Sequence, residues 1–423
     1  MTRPLMPLSA LPSEELFRLD PHAIDVLEEG RRLRERGPLV PVVLDGGVRA
    51  WATGHRDVAE AVLGGREFRK NPVHWGALAA GAVPQDWGIL EFITLPGLLN
   101  EDGDRHRELR SLVGKAFTPR RVEDLRPRVN AIAEQLVSEL GTAQGQVDLR
   151  HAFAFELPMQ IISALFGLDP GAGESLARDY TAIHDSRSTP ADVAAGKQGV
   201  ATVISMLIAE KRVHPGDDLT TALISATDSE NAVLDDALLI ATLMLFLFAG
   251  HETTMNLITN TLKALSEHPE RLEALRSGAV SVGDAVEETL RWNGPINTIM
   301  FRYAVEDTAV DGTGVTVASG DPVVICVAAT GRDDAAFGPT ADVFVPGRDI
   351  LAQHLAFGHG AHYCIGAPLA RMTAQVALTR LLDTYEIDRS RADAARPIGS
   401  YSSNSDTALW VELSPRVGAS VAA

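Results

Sequence analysis

The stretch FGHGAHYCIG, residues 357–366, sets one cysteine in a glycine-rich loop just before Pro368. A thiolate that is shielded from water is a strong, electron-donating ligand for iron. The glycines at positions 358, 360 and 366 allow the backbone to turn tightly and to approach the sulfur and a flat cofactor closely. Pro368 favours a helix start, and the positive end of that helix would stabilise an anionic sulfur at Cys364.

The two cysteines of the chain have different surroundings. A lone cysteine is more often a small buried apolar side chain than a ligand, and Cys326, within the apolar run 323–327, keeps that interpretation. Cys364 does not, because glycine and histidine surround it. No C-x-x-C-H sequence is present, and no second cysteine lies at zinc or iron–sulfur spacing. Two cysteines make no disulfide framework, which fits a reducing compartment.

The loop fills every position of a long signature: Phe, two residues, Gly, one residue, Arg or His, one residue, Cys, one residue and Gly. The residues that fill it are Phe357, Gly360, His362, Cys364 and Gly366. This is the haem-binding signature of the cytochrome P450 superfamily, and the chain resembles its soluble actinobacterial members. The resemblance implies a haem b cofactor (iron protoporphyrin IX), with Cys364 as the axial ligand of the haem iron.

Most of the chain has the apolar pattern of helices, which predicts a mainly α (α+β) fold. The predicted helices cover residues 21–36, 103–117, 119–140, 154–167, 172–185, 190–213, 217–226, 232–266, 268–276, 282–293 and 367–385. The predicted strands form a hairpin within 40–53 and cover 298–303, 308–310, 315–328 and 407–413. The resemblance implies the cytochrome P450 fold as a single domain, 1–423, with small peripheral sheets and a long central helix over the haem.

Composition limits the possible partners. The 423 residues, 45% of them hydrophobic, can bury a large core, and the formal charge of −18 argues against nucleic-acid binding. The longest apolar run, 237–250, is shorter than the ~20 residues that cross a membrane. The N-terminus lacks the apolar core of a signal peptide. We therefore expect a cytoplasmic monomer that binds neither nucleic acid nor membrane.

A second motif, AGHETT at residues 249–254, interrupts the nearly apolar helix predicted over 232–266. In the simplest interpretation, Thr253 donates a hydrogen bond to the carbonyl of residue 249 and only bends the helix. A zinc protease is excluded, because Met255 stands where that motif needs a second histidine. The resemblance to P450 enzymes implies instead a groove for dioxygen over the iron, with Thr253 and Glu252 as the catalytic residues that deliver protons.

Glu288 and Arg291 lie three positions apart, so a local ion pair on one helix face is the simplest explanation. The resemblance to the family's Glu-x-x-Arg pattern implies a buried pair that Arg348 joins, with a structural role. A buried charge network must be fully satisfied. We therefore expect that removing Glu288 or Arg291 prevents stable haem incorporation.

Haem carries two propionates, which need hydrogen-bond donors once they are buried. His106 and Arg110 lie four positions apart and face one side of a predicted helix. A single arginine is more often solvated, but the placement of these residues beside the motifs favours cofactor binding. The predicted cofactor-binding residues, partly implied by the resemblance, are His106, Arg110, Arg302, His362, Cys364, Phe357 and Gly366.

Positive charge is concentrated between Arg105 and Arg128, where eight basic residues accompany three acidic ones. Such a segment is usually only a solvated helix surface. Because it includes the predicted propionate contacts, an acidic electron carrier would be steered towards it. We predict that it docks a ferredoxin, which receives electrons from a ferredoxin reductase.

The chain departs from the family pattern at residues 329–334, ATGRDD, where Ala-Asn-Arg-Asp-Pro is usual, and this departure predicts a looser turn. Substrate choice must depend on the residues that line the space above the iron. The candidates are 71–99, expected to be irregular and lid-like, and 170–195, Leu245, Phe248, Ile296, Asn297, Thr298 and 400–402.

The resemblance implies a haem-thiolate monooxygenase that uses O2 to hydroxylate or epoxidise a hydrophobic small molecule. A secondary metabolite such as a macrolide, another polyketide or a steroid is expected. Two alternatives remain. Oxidative coupling or cyclisation without net oxygen insertion would give a product without the added mass of one oxygen atom. A non-catalytic haem-binding sensor would bind haem but consume no electrons in response to substrate.

Overall fold

The computed structural model describes residues 7–20, 25–115, 117–141, 145–184, 188–227, 235–349, 353–389 and 395–416. Helices predominate in these ranges. In chain order they are α1 (Val26–Arg36), α2 (Arg56–Gly64), α3 (Gly76–Ala79), α4 (Leu90–Thr94), α5 (Gly103–Gly114), α6 (Pro119–Asp124), α7 (Arg126–Leu140), α8 (Glu156–Phe166), α9 (Pro170–His184), α10 (Pro190–Val213), α11 (Leu219–Thr227), α12 (Asp236–Glu267), α13 (Pro269–Arg276), α14 (Val282–Asn293), α15 (Val327–Thr330), α16 (Asp334–Phe337) and α17 (Ala367–Thr384).

The strands are short and form small sheets beside the helices. They are β1 (Phe17–Arg18), β2 (Val40–Val43), β3 (Arg49–Thr53), β4 (Phe68–Arg69), β5 (Gln146–Asp148), β6 (Ile299–Ala304), β7 (Thr308–Val310), β8 (Val315–Val317), β9 (Pro322–Ile325), β10 (Tyr385–Asp388) and β11 (Trp410–Pro415). The largest sheet has the order β1-β2-β3-β9-β6-β4, a second has the order β10-β11-β5, and β7 pairs with β8. Strand β4 is therefore an edge strand, antiparallel to β6.

Helix α12 lies at the centre of the helical part. Leu243 and Leu247 in its first half pack into one buried cluster with α8, α10 and α11. Leu257 and Ile258 in its second half pack into another with α7, α14 and α17. Within the described ranges, α12 is the helix that length and composition alone would allow to cross a membrane, a test that the core helix of a soluble protein also passes.

The predicted mainly α architecture is confirmed, and several elements match their predicted ranges closely. The hairpin within 40–53 forms through β2 and β3, which pair antiparallel. The predicted helix 190–213 is α10, and 282–293 is α14. The first predicted helix is confirmed from Val26 onward, where the Asp25 side chain accepts the Glu28 N–H. Its predicted beginning at 21–24 lies outside the described residues.

Other predictions are wrong. The single helix predicted over 119–140 is two helices, α6 and α7, and Pro127 lies in the first turn of the second, where a missing N–H does no harm.

The strand predicted over 315–328 is broken into β8 and β9, and helix α15 follows. Helix α15 packs on α1, where a Cβ on Gly30 would stand 2.9 Å from the Cβ of Ala329. The short apolar runs of β9 and α15 would be apolar in either conformation, so their pattern in the sequence does not distinguish a strand from a helix. Helix α2 was not predicted at all.

Candidate active site

The loop 357–366 is closed by its own backbone. The Cys364 N–H donates to the Phe357 carbonyl at 2.9 Å. Gly358 and Gly360 both have a φ of +72°, and a Cβ on Gly360 would stand 3.0 Å from a carbonyl oxygen of α2. Glycine is the residue that accepts this left-handed backbone at such close approach. The loop thereby places Cys364 just before α17, which begins at Ala367.

The surroundings of the Cys364 sulfur have opposing effects on its pKa. Burial raises the pKa of the thiol, whereas the N–H groups of Gly366 and Ala367 and the positive charges of Arg110 and Arg371 lower it. Backbone N–H groups at a helix start, together with nearby cations, are what an anionic sulfur ligand requires. Cys326 also precedes a helix, α15, but its side chain accepts no capping hydrogen bond there, and burial raises the pKa of its thiol.

A cavity of about 360 Å³ is lined both by this loop and by α12. All seven predicted cofactor-binding residues lie on its wall: His106, Arg110, Arg302, His362, Cys364, Phe357 and Gly366. Of the two predicted catalytic residues, Thr253 lines the cavity and Glu252 does not. The structure thus brings together residues from α5, α12, β6 and the cysteine loop, which are far apart in the sequence.

The Thr253 side chain makes the local bond of the simplest interpretation. Its hydroxyl donates to the Ala249 carbonyl at 2.6 Å, four residues earlier in α12. Ala249, Gly250 and Thr253 all line the cavity, so the hydroxyl oxygen retains acceptor capacity on the cavity side. The local bond and a role at the cavity are therefore compatible.

The Glu252 carboxylate accepts a hydrogen bond from Ser403, in a segment that lies along α12, residues 403–406, called the strap below. One polar side chain from each of several successive turns of α12 reaches it. The contacts are Glu252 with the Ser403 hydroxyl, Asn256 with Ser405 through Arg150, Asn260 with the Asn404 carbonyl, and Lys263 with Asp406. The strap was not recognised in the sequence, because a contact between segments 150 residues apart leaves no local pattern.

The predicted propionate-binding residues cluster at one end of the cavity. The ring centroids of His106 and His362 lie 4.1 Å apart, and the Arg110 guanidinium donates to the Tyr363 carbonyl at 2.7 Å. Burial first, and then the charges of His362 and Arg110, lower the pKa of His106 to about 4. Burial lowers the pKa of Arg302 to about 10.

Two further residues of this cluster were missed in the sequence, Lys70 and Asp102. Lys70 lines the cavity, and the Asp102 carboxylate accepts the backbone N–H groups of Lys70 at 2.9 Å and of Asn71 at 2.7 Å. Although burial acts to raise it, the pKa of Asp102 is held at about 2 by His362 and these N–H groups. Asp102 immediately precedes α5, a position typical of aspartate, but no local signal marks Lys70.

Glu288 and Arg291 form the buried network that the resemblance implied. The Arg291 guanidinium donates to both carboxylate oxygens of Glu288, at 2.8 and 2.7 Å, and the two side chains are 0% and 1% exposed. Arg348 approaches the same carboxylate at 3.4 Å. The remaining Arg291 donors reach the carbonyls of Gly331, Ala341 and Val343.

The departure at residues 329–334 has a steric reason. A Cβ on Gly331 would stand 1.8 Å from the Arg291 carbonyl oxygen, so no larger residue fits the observed backbone. The turn is also held by Arg332, whose Nε donates to the Trp292 carbonyl at 2.8 Å. The structure does not show the looser turn that the sequence predicted.

The rest of the cavity wall is apolar, and only some predicted substrate-contacting residues belong to it. Leu98 and Leu99, Leu245 and Ile296 line the cavity. Phe248 instead stacks on Tyr180, with ring centroids 5.5 Å apart. The lining residues that the sequence interpretation missed include Ile162, Leu165, Phe166 and Phe246.

The basic segment 105–128 is less positive at its surface than the count of charges implied. Arg107 pairs with Asp104, and Arg105 lies 3.6 Å from Glu108. A second group, away from these pairs, is exposed: Lys115, Arg120, Arg121 and Arg128. The exposed positive charge therefore lies mainly on the turn after α5 and on α6 and α7.

These residues fit a haem. Cys364 could supply a sulfur ligand for iron, apolar side chains offer surfaces for a flat ring, and the cationic end suits two carboxylates. The Nε2 atom of His106 is buried without a hydrogen-bond partner among the described residues. A buried donor of this kind needs an acceptor from outside the chain.

Comparisons with known proteins agree with this description. A family model described as Cytochrome P450 matches residues 205–400. The chain is 36% identical over 412 residues to the 2-hydroxy-5-methyl-1-naphthoate 7-hydroxylase of Streptomyces carzinostaticus, covering 95% of this chain and 98% of that protein. It is 35% identical over 370 residues to the mycinamicin IV hydroxylase/epoxidase of Micromonospora griseorubida, covering 86% and 89%.

Among solved structures, testosterone-bound CYP154C4 from Streptomyces sp. ATCC 11861 superimposes with a TM-score of 0.88 at 36% identity, covering 94% of this chain and 98% of that one. The chain belongs to the cytochrome P450 family. It is a haem-dependent monooxygenase that takes dioxygen, a hydrophobic substrate and electrons from a redox partner.

Proposed function

We propose that Cys364 is the axial thiolate ligand of the haem iron and that the cavity beside it holds cofactor and substrate together. The observation that carries this proposal is that one cavity of about 360 Å³ is lined by Cys364, by Thr253 of α12 and by the four predicted propionate-binding residues. When bound, the haem supplies an iron that activates dioxygen with two electrons.

The chain's own residues then have distinct tasks. Burial raises the pKa of the Cys364 thiol, and the N–H groups of Gly366 and Ala367 act against it, so they would stabilise the thiolate that binds iron. The Thr253 hydroxyl oxygen accepts a hydrogen bond at the cavity wall while its own proton stays bonded to the Ala249 carbonyl, and Glu252, one residue away and in contact with Ser403, supplies protons from outside the cavity. The apolar wall excludes water from the substrate side.

The spectrum of reduced, carbon monoxide-treated protein tests the ligand. Wild-type protein should show the thiolate-type ferrous–CO band, and Cys364→His should lose it, because imidazole donates less electron density than thiolate. The other cysteine provides a matched control, since Cys326→Ala should keep the band. A thiolate-type band in Cys364→His protein would refute the assignment.

The substrate that we propose is a hydrophobic secondary metabolite, such as a macrolide, another polyketide or a steroid, which the enzyme hydroxylates or epoxidises. The apolar residues of the wall support this class, as do the naphthoate hydroxylase and mycinamicin hydroxylase/epoxidase relatives and the steroid in CYP154C4. Titration with testosterone and with a macrolide should shift the iron spin state if either displaces water. A product one oxygen atom heavier would support oxygen insertion over coupling or cyclisation.

The redox partner that we propose is a ferredoxin with its reductase. The exposed cations Lys115, Arg120 and Arg121 support docking of an acidic carrier near the Cys364 loop. Lys115→Glu combined with Arg121→Glu should slow the first electron transfer about tenfold at low salt, with little difference at high salt. Lys197→Glu, on α10, is the control that should leave the rate unchanged. Equal rates in all three proteins would exclude this docking surface.

We further propose that the chain 1–423 is one domain and acts as a cytoplasmic monomer without membrane or nucleic-acid binding. The absence of a Pro/Ser/Gly-rich linker and the formal charge of −18 support this. Sedimentation of the holoprotein should give one species near 45.3 kDa.

A further inference from the structure

Lys70 is a buried lysine at the wall of the cavity. Its side chain comes from the residue after β4, and the whole residue is 4% exposed. The antiparallel register of β4 and β6 sets Arg69 opposite Tyr303, so Lys70 continues that pairing towards Arg302. Both Lys70 and Arg302 line the cavity.

The ammonium of Lys70 has an unusual set of partners. Among the described residues, its hydrogen-bond acceptor is the Met300 carbonyl. The nearby carboxylate, Asp102, binds the backbone N–H of Lys70 at 3.0 and 2.9 Å rather than its ammonium. Burial first, and then the charge of Arg302, lower the pKa of Lys70 well below its ordinary value, while Asp102 acts in the opposite direction.

Charge is therefore unbalanced at this end of the cavity. Lys70 and Arg302 are buried cations, at 4% and 3% exposure, and Asp102 is the carboxylate that acts on both. Burying a charge is costly unless an opposite charge accompanies it. The two cations call for an additional anion at the cavity wall, and the His106 Nε2 atom, which has no hydrogen-bond partner among the described residues, could donate a hydrogen bond to it.

Lys211 shows that a buried lysine does not by itself call for an anion from outside the chain. Its side chain is also largely buried, at 11% exposure, but the Asp218 carboxylate lies 3.3 Å from its ammonium. Lys211 is not on the cavity wall. Lys70 differs from Lys211 in two ways: among the described residues no carboxylate pairs with its ammonium, since Asp102 binds its backbone N–H, and it lines the cavity.

We propose that Lys70 binds a haem propionate and, with Arg302, supplies the positive charge that retains the cofactor. This inference rests on the proposed placement of the haem and adds a residue to its binding site. The Met300 carbonyl holds the ammonium in position, and Asp102 fixes the backbone from which the side chain extends.

The experiment compares Lys70→Met and Lys70→Gln with wild type and with Lys211→Met as the matched control. Two properties of the ferric holoprotein are measured: the rate of haem transfer to apomyoglobin and the propionate bending bands in the resonance Raman spectrum. Both Lys70 variants should lose haem about tenfold faster and show shifted propionate bands. Lys211→Met should retain the wild-type rate and bands.

Glutamine separates a charge effect from a merely structural one. It can still donate to the Met300 carbonyl but carries no charge, so wild-type haem loss and bands in Lys70→Gln would overturn the proposal. If neither variant yields holoprotein, Lys70→Arg keeps the charge and should retain haem while shifting the Raman bands. Unshifted propionate bands in Lys70→Arg would also overturn the proposal. A failure of the Cys364 assignment is distinguishable, because it would appear in the wild-type ferrous–CO spectrum.

Discussion

The protein buries charge in two places that differ in completeness. In the closed network, Glu288, Arg291 and Arg348, the carboxylate meets two guanidinium groups, and further Arg291 donors reach backbone carbonyls. In the open cluster, which consists of Lys70, Asp102, His106, Arg302 and His362, one carboxylate faces several cationic or basic groups.

The difference separates folding from binding. A network whose donors and acceptors are satisfied within the chain needs nothing further, so we infer that it holds α14 to the segment around Val343. A cluster with excess positive charge is costly for the isolated chain and becomes favourable when an anion binds. Completeness of the internal pairing, rather than burial alone, indicates which polar cluster is a ligand site.

Breaking the closed network should have the largest effect on stability. Arg291→Met leaves the buried Glu288 without its bidentate partner, and we expect the free energy of unfolding to fall by about 3–5 kcal/mol. Urea unfolding measures this, together with the yield of haem-containing protein. Arg126→Met removes an exposed pair at the same i,i+3 spacing and should leave the curve nearly unchanged. Similar losses of unfolding free energy in Arg291→Met and Arg126→Met would contradict the distinction between the buried network and an exposed ion pair.

The open cluster should respond differently. Arg302→Met should accelerate haem transfer to apomyoglobin by about 10–100-fold, because propionate charge loses a partner. The cofactor-free variant should melt no lower than cofactor-free wild type, since an uncompensated cation has been removed. A drop in its melting temperature as large as that of Arg291→Met, with haem loss unchanged, would place Arg302 in the class of folding residues.

The strap lies between the closed network and the open cluster, because one of its residues, Ser403, is expected to affect both stability and function. Ser403→Ala removes the hydroxyl that donates to Glu252 and should cost about 1 kcal/mol of stability. If Glu252 supplies protons, the fraction of electrons that appears in product should also fall and the solvent isotope effect on turnover should rise. Ser405→Ala, which loses a contact to Arg150 instead, should alter stability only. If the fraction of electrons that appears in product is the same in the two variants, the strap has no part in proton delivery.

The smallest expected effect concerns the half-exposed cluster of Glu287, His354 and Arg371. Burial acts to raise the pKa of Glu287, but His354 and Arg371 outweigh it and lower the pKa from 4.5 to about 2. The stabilisation is therefore present above pH 4.5 and is lost as the pH falls through about 2. Glu287→Gln should lower stability by about 1 kcal/mol at pH 7, after allowance for solvent screening. Thermal unfolding at pH 7 and pH 3 should show the difference shrinking at the lower pH.

The cofactor end of the site was largely predictable, and the substrate end was not. The signature loop fixes residue type and spacing at each position, because the backbone turns and the sulfur ligand allow few alternatives. Its four predicted residues, Phe357, His362, Cys364 and Gly366, line one cavity together with His106, Arg110 and Arg302 from other elements. The substrate wall is made from ordinary apolar residues of α8 and α12, such as Leu165 and Phe246, which look like any core residue in the sequence.

Lys70 and Ser403 were missed for a related reason. Lys70 is positioned by strand pairing between β4 and β6, and Ser403 by its contact with α12, so both depend on tertiary structure. A lysine in a sequence is expected at the surface. The mainly α architecture was predictable because long helices such as α10 and α12 carry strong periodic patterns, whereas two-residue strands such as β1 carry none.

The strap also constrains the order in which the molecule can mature during synthesis. Polar side chains of α12, from Glu252 to Lys263, find their partners in residues 403–406, and Ser403 follows Glu252 by 151 residues. The ribosome therefore makes the central helix long before it makes the segment that covers its polar side. Until residues 403–406 have been made, that side remains open to water, and the complete wall behind α12 forms only after they emerge.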